Sequence, residues 1–200
     1  MTPALLIALA LGCSGTLQEP EAPPPTPEID PSPAPTIECG EGTTLEKGVS
    51  SKGVEYWCDR DGVMHGSFVR FHHNDRKAVS GEYNSNQPNG NWTWWHETGH
   101  ESKKGKYVRG KQTGAWTWWH EGGERAREGD FLAGRKAGQW TAWFPSGVKQ
   151  EEGMFHNDMK NALWTFYNDD DQNSVARTEL WRNGEMVEEK VQHVRPRQQN

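Results

Sequence analysis

The chain has 200 residues and a formal net charge of −6, and Leu, Ile, Val and Phe together fill only 29 positions. That excludes a large aliphatic core, a multi-span helical membrane protein and a strongly basic nucleic-acid binder. Against disorder stand the modest charge and 11 Trp residues, nearly all in the C-terminal two thirds, so the expected interior is built from aromatic rings.

Residues 3–13 read PALLIALALGC. The apolar run is about half the roughly 20 residues that a membrane-spanning helix needs, and it matches the apolar region of a secretory signal. It ends in Ala10-Leu11-Gly12-Cys13, which resembles the lipobox of bacterial lipoproteins. That likeness implies a signal peptide over 1–12, acylation of Cys13 and a place in the bacterial cell envelope, facing the periplasm or the cell surface. Two features depart from it: no Lys or Arg precedes the run, and Leu11 is bulkier than the residue usual at its position. The other reading is an ordinary cleaved signal with an incidental Cys.

With Cys13 lipidated, Cys39 and Cys58 remain as an even pair in an oxidising compartment, where a disulfide is expected. Neither has a CxxC partner or a nearby His pair, so zinc is not expected there. The bridge would close a loop of 20 residues, for which chain entropy gives about 3 kcal/mol. Between the lipid site and this loop, residues 13–38 read as a tether. Eight of the 12 prolines lie from Pro20 to Pro35. Such a stretch favours extended polyproline II, and at about 3.1 Å per residue it reaches roughly 75 Å.

From residue 62 onward the sequence repeats with a stride of 24. Gly66, Gly90, Gly114 and Gly138 form one column, with Ala162 next. Phe68, Trp92, Trp116, Trp140 and Trp164 follow two places on, and Phe71, Trp95, Trp119, Trp143 and Tyr167 three places beyond those. A second glycine column (Gly81, Gly105, Gly129, Gly153) precedes Tyr83, Tyr107, Phe131 and Phe155. The fifth row carries about two extra residues around Asp169-Asp170-Asp171 before Trp181-Arg182-Asn183-Gly184 resumes the pattern. Within a row, Trp- and Thr-rich extended pieces alternate with Gly-bounded turns and leave no room for a helix. Each row therefore predicts a β-hairpin, and the rows predict an all-β, elongated, single-layer antiparallel sheet. Each row should advance it by roughly 10 Å. Trp92 and Trp95, three apart, belong on opposite faces of a regular strand, so either both faces are partly buried or a bulge resets the alternation.

The GxWxxW…G…GxY/FxxGK pattern over residues 62–187 resembles the MORN family, and more closely the variant repeats of the YwqK-family antitoxins. Its rows are one residue longer than the commonest MORN consensus, and Trp replaces many of the usual Tyr. The resemblance implies an elongated antiparallel sheet used for protein–protein contact or dimerisation and, less directly, lipid binding. A cytosolic toxin partner fits poorly with an exported chain.

An open sheet needs caps. Residues 39–61 predict an N-terminal one, a hairpin of Leu45–Val49 and Val54–Cys58 pinned by the disulfide. Residues 188–200 form the C-terminal cap and tail, with GEMVEEKVQHV supplying a last charged strand or short helix.

Recurrent columns are structural, so function is sought in a column that varies. Arg70, Trp94, Trp118, Ala142 and Phe166 make such a column. If exposed, Trp94 and Trp118 would anchor a protein or stack a sugar ring; otherwise they are further core rings. His72, His96 and His120 are about 10 Å apart from row to row, too far to share a metal ligated at about 2 Å. The Asp169–Asp171 run lacks the ligand spacing of an EF-hand loop and reads as a solvated turn. No catalytic motif, phosphate loop, metal site or cofactor fingerprint is present. The expectation is a non-enzymatic, membrane-tethered scaffold with a protein partner and no nucleic acid. A glycan- or peptidoglycan-binding module is the alternative, and a periplasmic immunity-type protein the third reading.

Overall fold

The computed structural model describes residues 36–170 and 172–192. The apolar leader, Cys13, the tether as far as Pro35 and residues 193–200 lie outside them. The first strands are β1 (Thr44–Ser50), β2 (Gly53–Arg60), β3 (Val63–Phe71), β4 (Lys77–Asn84), β5 (Gln87–Trp95), β6 (Glu101–Val108) and β7 (Lys111–Trp119). They continue as β8 (Arg125–Leu132), β9 (Arg135–Trp143), β10 (Lys149–His156), β11 (Met159–Tyr167), β12 (Val175–Arg182) and β13 (Glu185–Val191). All 13 belong to one antiparallel sheet whose strand order is the chain order, and the described residues contain no helix. This is the tandem-hairpin sheet the repeat predicts. The charged C-terminal segment forms a strand.

The stride has a simple composition. A nine-residue strand, a five-residue loop, an eight-residue strand and a two-residue turn make one row. In the fifth row the loop is Asn168–Ser174, which accounts for the two extra residues. After the cap hairpin, whose turn is Ser51-Lys52, the two-residue turns lie at Asp61-Gly62, Ser85-Asn86, Arg109-Gly110, Ala133-Gly134, Asn157-Asp158 and Asn183-Gly184. In these six φ is positive at both residues, 49–53° at the first and 61–90° at the second. That is the type I′ turn, whose twist matches the strands it joins. Most of these turns also bond to the preceding row: the Gly110 N–H donates to the Pro88 carbonyl, and the Gly134 N–H to the Gln112 carbonyl.

Alternation places Trp92 and Trp94 on one side of β5, here the ring face, and Trp95 on the other, the back face. Trp94 pairs with Lys103 and Trp95 with Glu101, so the irregularity here is the extra Ser102 of β6, and β5 stays in phase from Trp92 to Trp95. Both faces therefore carry rings. On the ring face Trp92, Trp116, Trp140 and Trp164 are 0–4% exposed. Each lies flat on the glycine of the preceding strand: a Cβ at Gly81, Gly105, Gly129 or Gly153 would stand 2.2–2.3 Å from the indole Cδ2. Tyr83, Tyr107, Phe131 and Phe155 meet these indoles edge-on at 5.0–5.2 Å. Phe68 stacks directly on Trp92 at 5.7 Å. Later equivalents do not meet this way. Trp94 stands between Trp92 and Trp116, and Trp118 between Trp116 and Trp140.

The other glycine column serves the backbone. Gly66, Gly90, Gly114 and Gly138 have φ of 62–104° in bulges two residues before each ring, and Ala162 adopts 61° at the same place. In β12 the under-ring glycine gives way to Glu179, which is 7% exposed. Its neighbour on β13 is Glu189, so no indole needs to lie there. The back face carries a ladder in which Thr93, Thr117, Thr141 and Thr165 alternate with Lys104, Glu128 and Glu152.

Candidate functional site

The variable column lies on the ring face and forms every second rung of one cross-strand ladder. Its order is Arg70, Val79, Trp94, Lys103, Trp118, Arg127, Ala142, Glu151, Phe166, Arg177. Neighbouring rungs point the same way, so aromatic and cationic side chains interleave. The Lys103 Nζ sits 3.8 Å from the Trp94 ring centre, the Arg127 Cζ 4.7 Å from Trp118, and the Arg177 Cζ 3.8 Å from Phe166. Trp94 and Trp118 are half-buried and tilt against Trp92, Trp116 and Trp140 at 5.6–5.9 Å. They belong to the core and reach the surface together. Phe166 is half-buried at the far end of the ladder, and Arg70 at the near end has a buried Nε without a hydrogen-bond partner.

Ala142 is the one small member of its column. Where a ring would otherwise stand, an open groove of about 540 Å³ runs across the strands, bounded by Trp94, Lys103, Trp118, Arg127, Ala142 and Glu151. Lys103 and Arg127 lie one row apart on even strands, where a search for recurrent rings passes over them. The same stride, read down Val79, Lys103, Arg127 and Glu151, was the signal that would have found them.

Charge is distributed unequally between the two faces. On the back face Lys104 pairs with Glu101 at 3.1 Å, Arg125 with Glu128 at 3.0 Å and Lys149 with Glu152 at 2.9 Å. On the ring face Lys103, Arg127 and Lys136 make no ion pair among the described residues, and Glu151 is engaged by Lys160 at 3.8 Å. Burial holds the Lys103 amine below the usual lysine range. Burial, and then the Arg127 charge, do the same to Lys136. The groove is a patch of exposed indole edge with two unneutralised cations on its rim.

The other singled-out residues have structural partners. The Nε2 atoms of His72, His96 and His120 bond the carbonyls of Trp95, Trp119 and Trp143 at 2.9–3.0 Å, so each imidazole ties its loop to the next row. In the long loop the Asp170 carboxylate accepts the N–H groups of Gln172 and Ser174 and the Ser174 hydroxyl, and Asp169 accepts the Ser146 hydroxyl. Asp170 thus caps its loop. Cys39 and Cys58 form a disulfide with Cα atoms 5.5 Å apart, and Cys58 is fully buried. The lipidation site, Cys13, lies outside the described residues. Among the described residues no cluster of His, Cys, Asp and Glu has metal-binding geometry, and no helix is long and apolar enough to cross a membrane. No protein-family model matches the chain, and no curated protein is similar to it.

Proposed function

We propose that the chain is a membrane-tethered lipoprotein of the bacterial cell envelope whose MORN-like sheet is a docking surface for a protein partner, with the ring face as the docking face. The observation that carries this reading is the groove over Trp94, Trp118 and Ala142, where core indoles emerge at the surface between cations without counter-charges. Half-buried Trp flanked by Arg is the chemistry of a protein-binding hot spot. The anchor rests on the apolar leader ending at Cys13, and the stand-off on the proline-rich residues that follow. The disulfide fits an oxidising compartment. Stacking of a sugar is less well supported, because Lys103 and Arg127 already cover the ring faces that a sugar would need.

The test is a pair of photo-crosslinkers in the full chain in its native envelope, one replacing Trp118 on the ring face and one replacing the exposed Lys104 on the back face. A discrete protein adduct from position 118 and none from 104 is expected. Adducts from 104 alone, from both alike, or from neither reject the ring face. Cys13→Ser should move the protein to the soluble fraction; a variant that still sediments with membranes removes the acyl anchor.

A further inference from the structure

The groove specifies more than a general docking site. Lys103 on β6 and Arg127 on β8 occupy the same ladder, two strands apart, with Trp118 between them. Two strand spacings are about 9.6 Å. A polyproline II helix returns a side chain to the same side every three residues, or about 9.3 Å. In a β-strand, residues three apart point to opposite sides. Two turns of an α-helix, at about 10.8 Å, overshoot by more than an ångström. A polyproline II segment lying across the strands would therefore place residues i and i+3 on Lys103 and Arg127. Residues i+1 and i+2 would lie over the exposed edge of the half-buried Trp118 indole, as proline-rich segments dock in aromatic-lined grooves. The rungs beyond limit the length of the match. The next even-strand rung before Lys103 is Val79, and the one after Arg127 is Glu151, which would repel a third carboxylate.

We infer that the groove takes an extended, proline-rich segment of a partner protein bearing two carboxylates three residues apart, Glu-Pro-Pro-Glu in its simplest form. The occupant follows from charge and pitch together. Two cations stand without counter-charges in a chain of net charge −6, while the back face pairs its Lys104, Arg125 and Lys149. Lys103 is half-buried against Trp94, and a carboxylate would restore the solvation that burial takes from its amine. The inference rests on the ring face being the docking face.

The test titrates the peptide Pro-Pro-Glu-Pro-Pro-Glu-Pro-Pro into the full-length protein and follows Trp fluorescence. A peptide of the same composition with its two Glu separated by one Pro serves as the spacing control. Saturable binding of the first is expected. Lys103→Gln and Arg127→Gln should each weaken it roughly tenfold, the effect of losing a charge-assisted hydrogen bond. The spacing control should bind about tenfold more weakly, and Lys104→Gln on the back face should change nothing. The inference is overturned if the first peptide fails to bind, if both peptides bind alike, or if Lys104→Gln weakens binding as much as Lys103→Gln. It is also overturned if anionic phospholipid vesicles or a sulfated polysaccharide engage Lys103 and Arg127 while the peptide does not. Should the peptide fail while position 118 still crosslinks a protein, the docking face survives and only the occupant is wrong. Loss of both takes the docking face with it.

Discussion

At the scale of single residues, two glycine columns with the same stride have different reasons to be glycine. Gly129 lies beneath the Trp140 indole, where a Cβ would stand 2.2 Å from Cδ2. Gly129→Ala should cost about 3 kcal/mol and lower the thermal midpoint by about ten degrees, with loss of near-ultraviolet circular dichroism from the displaced ring. A midpoint within a degree of the parent would show that the ring moves aside freely. The other column needs a left-handed backbone, and at Ala162 (φ 61°) the chain meets that need without a glycine. A non-glycine residue in that region costs roughly 1 kcal/mol, so Ala162→Gly should raise stability by about that amount in urea unfolding. The recurrence of both columns was plain in the sequence. That glycine serves tight backbone on the one hand and a flat-lying ring on the other also follows from the sequence, but which column does which does not, because φ and the lie of a neighbouring ring leave no mark on residue identity. The histidines show the same limit. Their spacing argued against a shared metal, but only folding brings each Nε2 onto the Trp carbonyl of the next row.

At the scale of strands and turns, each hairpin is locally determined. The Gly-bounded turns, the five-residue turn segments and the disulfide-closed cap could be read from Gly and Cys positions, whereas the type I′ geometry shows only in the φ angles. The depth of the bulges could not, because they depend on pairing with a strand elsewhere in the row. The last full row adds a titratable contact between β10 and β11: the Tyr167 hydroxyl donates to Glu152 Oε1 at 2.5 Å. Burial and the carboxylate push Tyr167 up to about 12, and the same hydrogen bond, with help from Lys149, holds Glu152 below its ordinary value. The raised phenol contributes stability that is whole below pH 10 and is lost as pH climbs toward about 12. The lowered carboxylate contributes stability that is whole above pH 4.5 and is lost as pH falls through its folded value. Tyr167→Phe should flatten the alkaline decline of the melting midpoint between pH 10 and about 12. An unchanged alkaline limb would assign that decline to other tyrosines.

At the scale of the whole molecule, a single-layer sheet keeps two open edges, and charge guards the C-terminal one. Strand β13 is exposed along its whole length and carries Glu185, Glu188, Glu189 and Lys190 beside Met186, Val187 and Val191. Such charges hinder edge-to-edge pairing between copies. Glu188→Val with Glu189→Val should give concentration-dependent association in sedimentation velocity, where the parent stays a single species. A monomeric double variant would assign protection of this edge to something other than charge. The elongated sheet and the place of the variable column on it were legible from the stride alone. The groove was not, since it arises where Ala142 interrupts a row of rings and the cations of neighbouring strands close in around the gap.

Because the 13 strands pair in chain order with no crossover among the described residues, the length of the sheet is a free parameter. Removing residues 109–132 would join Val108 to the Ala133-Gly134 turn and bring β9 beside β6, with the strand phase, the turn type and the ring contacts intact. Removing any number of residues that is not a whole row would set every later indole against the wrong neighbour. Gene duplication or loss of one such module would alter how far the protein extends while leaving its cross-section unchanged, so lineages could tune its reach in discrete steps.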